Sequence, residues 1–305
     1  MEMVESLGRP LVLFNPVANR GHVRCYRDAL RQRVEAEQGE YIETTRQGEA
    51  RERCLQAAHE GRPVVVIGGD GTVHEAVNGL LAGDRRVPLG IVGAGSGNDF
   101  AWNTLKLPRD PLDALEHALH GRLLSVDAGI VNECYFANAF SVGLDADIAA
   151  AVGSLKKLPL MSGERLYYTA ALRQLLFGYQ RCPWLTCELD GINPRPEKDE
   201  SRYVLMAVSN GPTYGAGFRI NPNAEPSDGL LDICLIDYTP LLHALQLLPR
   251  VQRGEHTNLP IVHFYRARTV TIESRQPLSV QIDGEPSRAS RFEARVLPAA
   301  LLLRV

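Results

Sequence analysis

The sequence predicts an α/β domain of parallel strands followed by a mostly antiparallel β domain, a two-domain α+β chain. Three observations predict it. Strand-like and helix-like stretches alternate through residues 1–124, the pattern of a parallel sheet covered by helices. Val64-Val65-Val66-Ile67 is apolar on both faces, as a strand buried on both sides requires. From Leu124 onward, short strand-like runs separated by Asp-Gly pairs dominate, which is the texture of antiparallel pairing. A chain of 305 residues is long enough for two hydrophobic cores.

In order, Pro10 to Phe14 reads as a first strand ending at Asn15-Pro16, and Val23, Tyr26, Leu30 and Val34 recur at helical spacing. Tyr41 to Thr45 is strand-like, a helix around Leu55 and Ala58 follows, and Val64–Ile67 is the central strand. Thr72 to Leu81 reads as a helix, Val87 to Val92 as the next buried strand, and Asp110 to Leu119 as a helix with Pro111 in its first turn and Gly121 beyond its end. The boundary falls near residue 124, giving domains 1–124 and 125–305 in which the last residues can return to the first domain. The second domain offers strands at Ser125–Val131, Cys134–Val142, Leu185–Leu189, Tyr203–Ser209, Leu231–Ile236, Thr269–Ile272 and Leu278–Ile282. Helices interrupt it at Glu164–Phe177 and Leu241–Val251, and Asn193–Ser201 reads as a loop.

Composition narrows the function classes. A formal charge of −3 gives no support for nucleic-acid binding. No apolar run approaches the length of a spanning helix, and the N-terminal stretch has acidic residues where a signal peptide carries basic ones. The expected location is therefore cytoplasmic, with any lipid met peripherally at a membrane surface; a homo-oligomer is left open. The six cysteines are scattered without a zinc spacing, which reads as free thiols, and no His-x-x-x-His pair supports a histidine metal site.

The chemistry-bearing stretch is Gly68-Gly69-Asp70-Gly71-Thr72, where the central strand runs into a helix. Glycines let the backbone turn sharply and approach an anion, and amide N–H groups at a helix start converge on phosphate oxygens. Asp70 repels phosphate unless Mg²⁺ lies between them or the carboxylate meets a hydroxyl. Taken alone, the run is also compatible with a tight turn and a capping aspartate. The next strand ends in a second such loop, Gly95-Ser96-Gly97-Asn98-Asp99, and a helical stretch begins at Phe100-Ala101. The first strand adds Asn15 to Gly21 with Arg20, a fork of donors, and the second ends in the hydroxyls of Thr44 and Thr45. Four strand ends thus present phosphate-compatible groups at the carboxyl edge, where open α/β sheets bind ligands.

With Glu75 and Asn78 following the first loop, and Phe100-Ala101 the second, the pattern resembles the diacylglycerol kinase catalytic family, and among its members the bacterial soluble lipid kinases related to diacylglycerol and sphingosine kinases. Asn138–Ala146, Gly215–Asp232 and Asp283-Gly284-Glu285-Pro286 extend the likeness over nearly the whole chain. It implies a nucleotide domain similar to those of NAD kinase and phosphofructokinase, a C-terminal β-sandwich, and transfer of the γ-phosphate of ATP to a lipid hydroxyl with Mg²⁺. It further implies ATP contacts from Thr44, Gly68, Gly69, Asp70, Gly71, Thr72, Val73, His74 and Ser96, with Gly97, Asn98 and Asp99 beside it and Asn15, Arg20, Glu75 and Asn78 as weaker candidates; Asn78 equally reads as a helix-surface residue and Glu75 as support for the first helical turn. Two departures stand out: the loop after the first strand, Asn15 to Gly21, lacks the Ser-Gly-Lys of many relatives, with Arg20 there instead, and Gly95-Ser96-Gly97 replaces a Gly-Thr-Ala or Gly-Thr-Gly run while keeping the hydroxyl.

The same resemblance implies that Asp283-Gly284-Glu285, by itself a common hairpin turn, supplies the catalytic base. Glu285 is the first choice and Asp283 the alternative, with Asp70 as the other catalytic carboxylate. Glu225 to Leu230 resembles a structural Mg²⁺ loop, with the Asp228 carboxylate and the carbonyls of Glu225 and Leu230 as ligands; without the resemblance it reads as a Ser-Asp-Gly turn. Lys156-Lys157-Leu158-Pro159-Leu160 and the apolar residues from Leu166 to Tyr179 read first as a helix packed on the β domain, and alternatively as an interfacial helix. Two competing functions share the first glycine loop: a kinase for a soluble acceptor such as NAD, and a non-catalytic nucleotide-binding regulator. The second glycine loop and the 283–285 turn argue for the lipid kinase. The acceptor itself, whether diacylglycerol, phosphatidylglycerol, a sphingoid base or a polyprenol, is not written in any motif.

Overall fold

The computed structural model describes residues 8–144, 146–149, 163–196 and 200–305. The Lys156–Leu160 stretch lies outside the described residues. The chain forms two compact units: the chain up to Asp127 together with Ala299–Val305, and Ala128–Pro298.

The first unit holds strands β1 (Leu11–Phe14), β2 (Glu40–Glu43), β3 (Val64–Gly68) and β4 (Pro88–Gly93) and helices α1 (Arg27–Ala36), α2 (Glu49–Glu60), α3 (Asp70–Leu81) and α4 (Pro111–His120). The strands run parallel in the order β2-β1-β3-β4, and Leu302–Arg304, the end of the last strand, adds in parallel beside β4. Every residue of β3 and β4 is buried, which explains their lack of a polar face. Val12, Phe14, Leu30, Val34, Ile67, Val92 and Leu115 belong to one core cluster. In α4, the Asp110 side chain accepts from the N–H groups of Leu112 and Asp113, and Pro111 opens the first turn, a cap typically worth about 1 kcal/mol. The register sets the site. Phe14 lies opposite both Glu43 and Ile67, and Gly68 lies opposite Gly93, so the loops after β1 to β4 leave one edge of the sheet.

The second unit contains β6 (Cys134–Phe136), β7 (Ala139–Gly143), β8 (Trp184–Leu189), β9 (Ser201–Ser209), β10 (Leu231–Asp237), β11 (Val262–Ala267) and β12 (Thr269–Ile282), with helices α5 (Gly163–Gly178) and α6 (Leu241–Arg253). Strand β5 (Leu123–Val131) enters it from the first unit, and β13 (Glu285–Arg304) leaves it. The antiparallel order is β11-β10-β9-β7-β12-β13, with β8 bridging β12 and β9. Phe136, Phe140, Met206, Ile233, Ile272 and Phe292 form one core cluster. Leu175 and Leu247, from the two helices, join Leu205 and Ile236 in another.

Strands β11 and β13 are not expected from the sequence, and three further elements differ from the expectation. The run Cys134–Val142 is not one strand: it breaks at Ala137-Asn138, where successive backbone N–H groups turn toward the Asp283 carboxylate. Thr269–Ile272 and Leu278–Ile282 are parts of a single strand, β12, with an irregular register between Glu273 and Leu278. The helical stretch after the second glycine loop is a π-helical turn, Asp99–Thr104. Among the described residues, no helix is long and apolar enough to cross a membrane. The six cysteines are free thiols, although Cys25 is exposed rather than buried.

Candidate active site

The two glycine loops of the first unit lie back to back. A Cβ at Gly69 would come within 3.0 Å of the Gly95 Cα, and one at Gly95 within 2.5 Å of the Gly69 Cα. Ala94 N–H donates to Gly68 O at 2.8 Å, closing the strand ends together. Helix α3 starts at Asp70 with Gly69 as its N-cap, and no side chain caps it. The positive end of α3 is therefore left open toward the loops, an arrangement that suits an anion.

Asn98 holds this pair of loops in shape. Its backbone takes the left-handed conformation, φ 57°. Its side chain accepts from Gly95 N–H and donates to Gly95 O, both at 2.8 Å, while its own N–H donates to Asp70 Oδ2 at 2.8 Å. It is 2% exposed. Asn98, expected to meet the nucleotide, thus ties the second loop to the first and fixes the Asp70 carboxylate. Asp99 is also buried and accepts from Asn103 Nδ2 at 2.8 Å. The bonds of Asn98 to Gly95 and of Asp99 to Asn103 are local, whereas the tie from Asn98 to Asp70 spans 28 residues and is not readable from Gly-Asn-Asp alone.

The remaining predicted residues divide in the same way. Ser96 is exposed, and Gly69, Asp70, Gly71, His74, Gly95 and Gly97 are partly exposed; these make up the accessible rim. Gly68, Thr72 and Val73 are buried. Thr72 Oγ1 accepts from Asn15 Nδ2 at 2.8 Å, and Asn15 Oδ1 accepts from Val17 N–H at 3.1 Å, so Asn15 links the first glycine loop to the loop after β1. Asn19, Arg20 and Gly21 are successive left-handed residues, φ 47°, 56° and 82°, and the Arg20 side chain is exposed. Thr44 N–H donates to Phe14 O at 2.9 Å. Glu75 turns toward α2: its Oε1 accepts from Gly48 N–H, the N-cap of that helix, at 2.9 Å. Asn78 is buried and donates to His74 O at 2.9 Å within its own helix.

In the second unit, Asp283-Gly284 forms the two-residue turn of the β12–β13 hairpin, with φ of 48° and 88°, the conformation that favours Asp-Gly. Asp283 Oδ2 accepts from Ala137 N–H at 2.8 Å, and Oδ1 accepts from Asn138 and Ala139 N–H at 3.0 Å. Both oxygens are thereby engaged in holding the turn to the 137–139 corner. Glu285 sits one residue beyond the turn and is partly exposed. Gly284 N–H donates to Gln281 Oε1, and Gln281 Nε2 donates to Ser141 Oγ at 2.9 Å.

The Glu225–Leu230 loop lies beside a carboxylate that sequence reasoning missed. Asp228 Oδ1 accepts from Leu230 N–H at 3.0 Å, and its Oδ2 pairs with Arg266. Asp232, at the start of β10, is 8% exposed, and its Oδ2 has no hydrogen-bond partner. Arg266 Nε reaches only the other oxygen, at 3.5 Å. Burial, with the charge of Glu225 second, pushes the Asp232 carboxyl up to about 6. A cavity of about 270 Å³ lined by Asn221, Ala224, Asp232 and Arg266 adjoins it. A buried carboxylate oxygen without a partner, on a residue that shares Arg266 with Asp228, is a donor of the kind a hard divalent cation takes. The spacing Asp228-x-x-x-Asp232 was the available signal. Among the described residues, no cluster of three or more His, Cys, Asp or Glu side chains is gathered for a metal, so carbonyls and water must complete any such site.

A raised carboxyl pKa has a defined stability signature. The folded state holds this proton more tightly than the unfolded chain, so stability falls as pH rises from about 4 through about 6, by about 3 kcal/mol in all. A bound cation offsets that loss. Mg²⁺ is therefore expected to raise the Tm by several degrees at pH 7.5 and much less at pH 5, with Asp232→Asn flattening the difference. Thermal scans at both pH values check this; an equal Mg²⁺ effect at each pH defeats it.

Comparison with known proteins identifies both domains. The diacylglycerol kinase catalytic domain profile matches residues 9–131, and the YegS C-terminal NAD kinase beta sandwich-like domain profile matches residues 138–305. A protein of Chromohalobacter salexigens described as "Probable lipid kinase YegS-like" is 34% identical over 79% of this chain and 75% of its own length. A diacylglycerol kinase of Bacillus subtilis is 28% identical over 91% of this chain and 89% of its own. A crystal structure of a Bacillus anthracis diacylglycerol kinase superposes with a TM-score of 0.74 at 22% identity, covering 98% of this chain and 97% of that one. The α/β domain with its paired glycine loops, followed by a β-sandwich-like domain, places the chain in the diacylglycerol kinase family of lipid kinases.

Proposed function

We propose that this chain transfers the γ-phosphate of ATP to the hydroxyl of a lipid, diacylglycerol or a related one. The observation that carries the reading is the contact of the two glycine loops, which concentrates amide donors at the open start of α3. Relatives named diacylglycerol kinase and lipid kinase support the lipid acceptor over a soluble one.

The rim residues divide the work. Amides of Gly69 to Gly71 and of Ser96 and Gly97, with the Ser96 hydroxyl, hold phosphate oxygens, while the Gly95 N–H stays with Asn98, and Arg20 and Thr44 border them. Asp70 would hold the Mg²⁺ that arrives with ATP, an ion whose chemistry is to neutralise charge on the transferring phosphoryl group. Asn98 and Asn15 keep the loops in register. Glu285 accepts the proton of the attacking alcohol. Asp228, Asp232 and the carbonyls of Glu225 and Leu230 would hold a structural Mg²⁺ that stabilises the second unit.

Labelled ATP with Mg²⁺ and a panel of lipids in mixed micelles tests the reading, run beside Asp70→Asn. The amide keeps an oxygen to accept from Asn98 N–H and removes only the charge. Transfer to at least one lipid is expected, with a loss of more than about tenfold in the variant. Binding of ATP without transfer to any hydroxylated lipid favours a non-catalytic regulator instead.

A further inference from the structure

We propose that the outward face of α5 is a docking surface for an anionic membrane. The inward face of this helix is committed: Leu166, Ala170, Ala171 and Leu175 are buried, the last three within a core cluster of the second unit. Arg165, Thr169, Leu172, Arg173, Leu176 and Phe177 are exposed, and at 3.6 residues per turn they fall within about 140° of arc. Leu176 is 49% exposed and Phe177 79%. The Tyr179–Arg181 turn continues the helix, and Trp184, at the start of β8, is 56% exposed.

Large apolar side chains left in water along one helix face mark an interaction site rather than a folding device. Their charged neighbours say which kind. From Arg165 to Trp184 the sequence has three arginines and no Asp or Glu, in a chain whose net charge is −3. Arg165, Arg173 and Arg181 have no carboxylate partner among the described residues. A second copy of this chain docked face to face would set these arginines against themselves. A surface of anionic headgroups over acyl chains satisfies both features, since guanidinium groups pair with phosphates while leucine and phenylalanine enter the interface. The helix is too short to cross, so it would lie in the plane of the membrane. The proposal deepens the lipid-kinase reading and rests on it for the purpose of the surface.

The test is co-sedimentation of the full chain with vesicles of phosphatidylcholine, alone or mixed with phosphatidylglycerol, without ATP. Two double variants accompany it: Leu176→Glu with Phe177→Glu, and Arg165→Glu with Arg173→Glu. These side chains are exposed, so both variants should fold, which circular dichroism checks. Binding to the mixed vesicles, weaker by at least about tenfold in each variant, is expected. Added salt should weaken the parent more than the arginine variant. Turnover of a short-chain acceptor dissolved as monomer should stay at the parent level in both variants. Undiminished vesicle binding by both variants overturns the proposal. So does parent self-association that the variants abolish while vesicle binding persists, because the face then belongs to a second copy. Vesicle binding that needs α5, in a protein that phosphorylates no lipid, supports the surface while defeating the acceptor reading.

Discussion

Gly95→Ala should cut turnover by about a hundredfold or more while leaving the circular dichroism spectrum of the parent. The added methyl would lie 2.5 Å from Gly69 Cα and 2.9 Å from Asn98 Oδ1. The first neighbour is backbone, and the second is held by hydrogen bonds at both ends of its amide. Neither can swing aside, so the loops must part. Their amides serve a phosphate only within hydrogen-bond distance, and a displacement of about 1 Å at a reacting centre costs about a hundredfold. Both a higher KM for ATP and a lower kcat are expected. Ser96→Ala, which removes one exposed hydroxyl without moving backbone, should cost about tenfold or less. Steady-state kinetics on the two variants decide the matter; a Gly95→Ala enzyme within twofold of the parent would remove the paired-loop account.

The parts of this protein written in adjacent residues were open to reading. Val64–Ile67 announces a buried parallel strand, and the glycine run after it announces an anion-binding turn. The α4 boundaries follow from Asp110, Pro111 and Gly121. What stayed hidden depends on distant partners. Strand β13 carries charged residues along its exposed face and alternates only in part, so its period was masked. Asp232 reads as an ordinary strand residue until Asp228 and Arg266 are seen beside it. Glu75 sits a turn inside α3 and looks like a ligand for the phosphate loop, yet it caps the neighbouring helix. Asn98 and Asp99 followed the glycines in a way that suggested contact with a nucleotide, whereas their side chains turn inward. At such sites the residue type shows that polarity is needed, and only the fold shows what for.

Asp283 and Glu285 make the sharpest remaining contrast, because the resemblance admits either as base and the structure gives them different surroundings. Three backbone N–H groups, from Ala137, Asn138 and Ala139, end on the Asp283 carboxylate. Asp283→Ala strips all three of their acceptor, and hydrogen bonds to a charged group are worth about 1.5–3 kcal/mol each. A loss of about 3 kcal/mol or more is therefore expected, seen as a lower midpoint in urea, together with a loss of activity as the turn comes loose. Among the described residues, no such set of amides ends on Glu285. Glu285→Gln keeps its volume and removes only its capacity to take a proton. Stability should stay within about 0.5 kcal/mol of the parent, as for a surface substitution, while kcat falls by about 10²–10⁴ and the KM for ATP holds. The two variants thus separate on two axes, one chiefly a stability defect and the other purely kinetic. Should Glu285→Gln turn over at the parental rate, this carboxylate is not the base. If Asp283→Ala instead keeps its midpoint and loses only kcat, the chemistry belongs to Asp283, and its three amide bonds serve to orient a catalytic group rather than to anchor the hairpin.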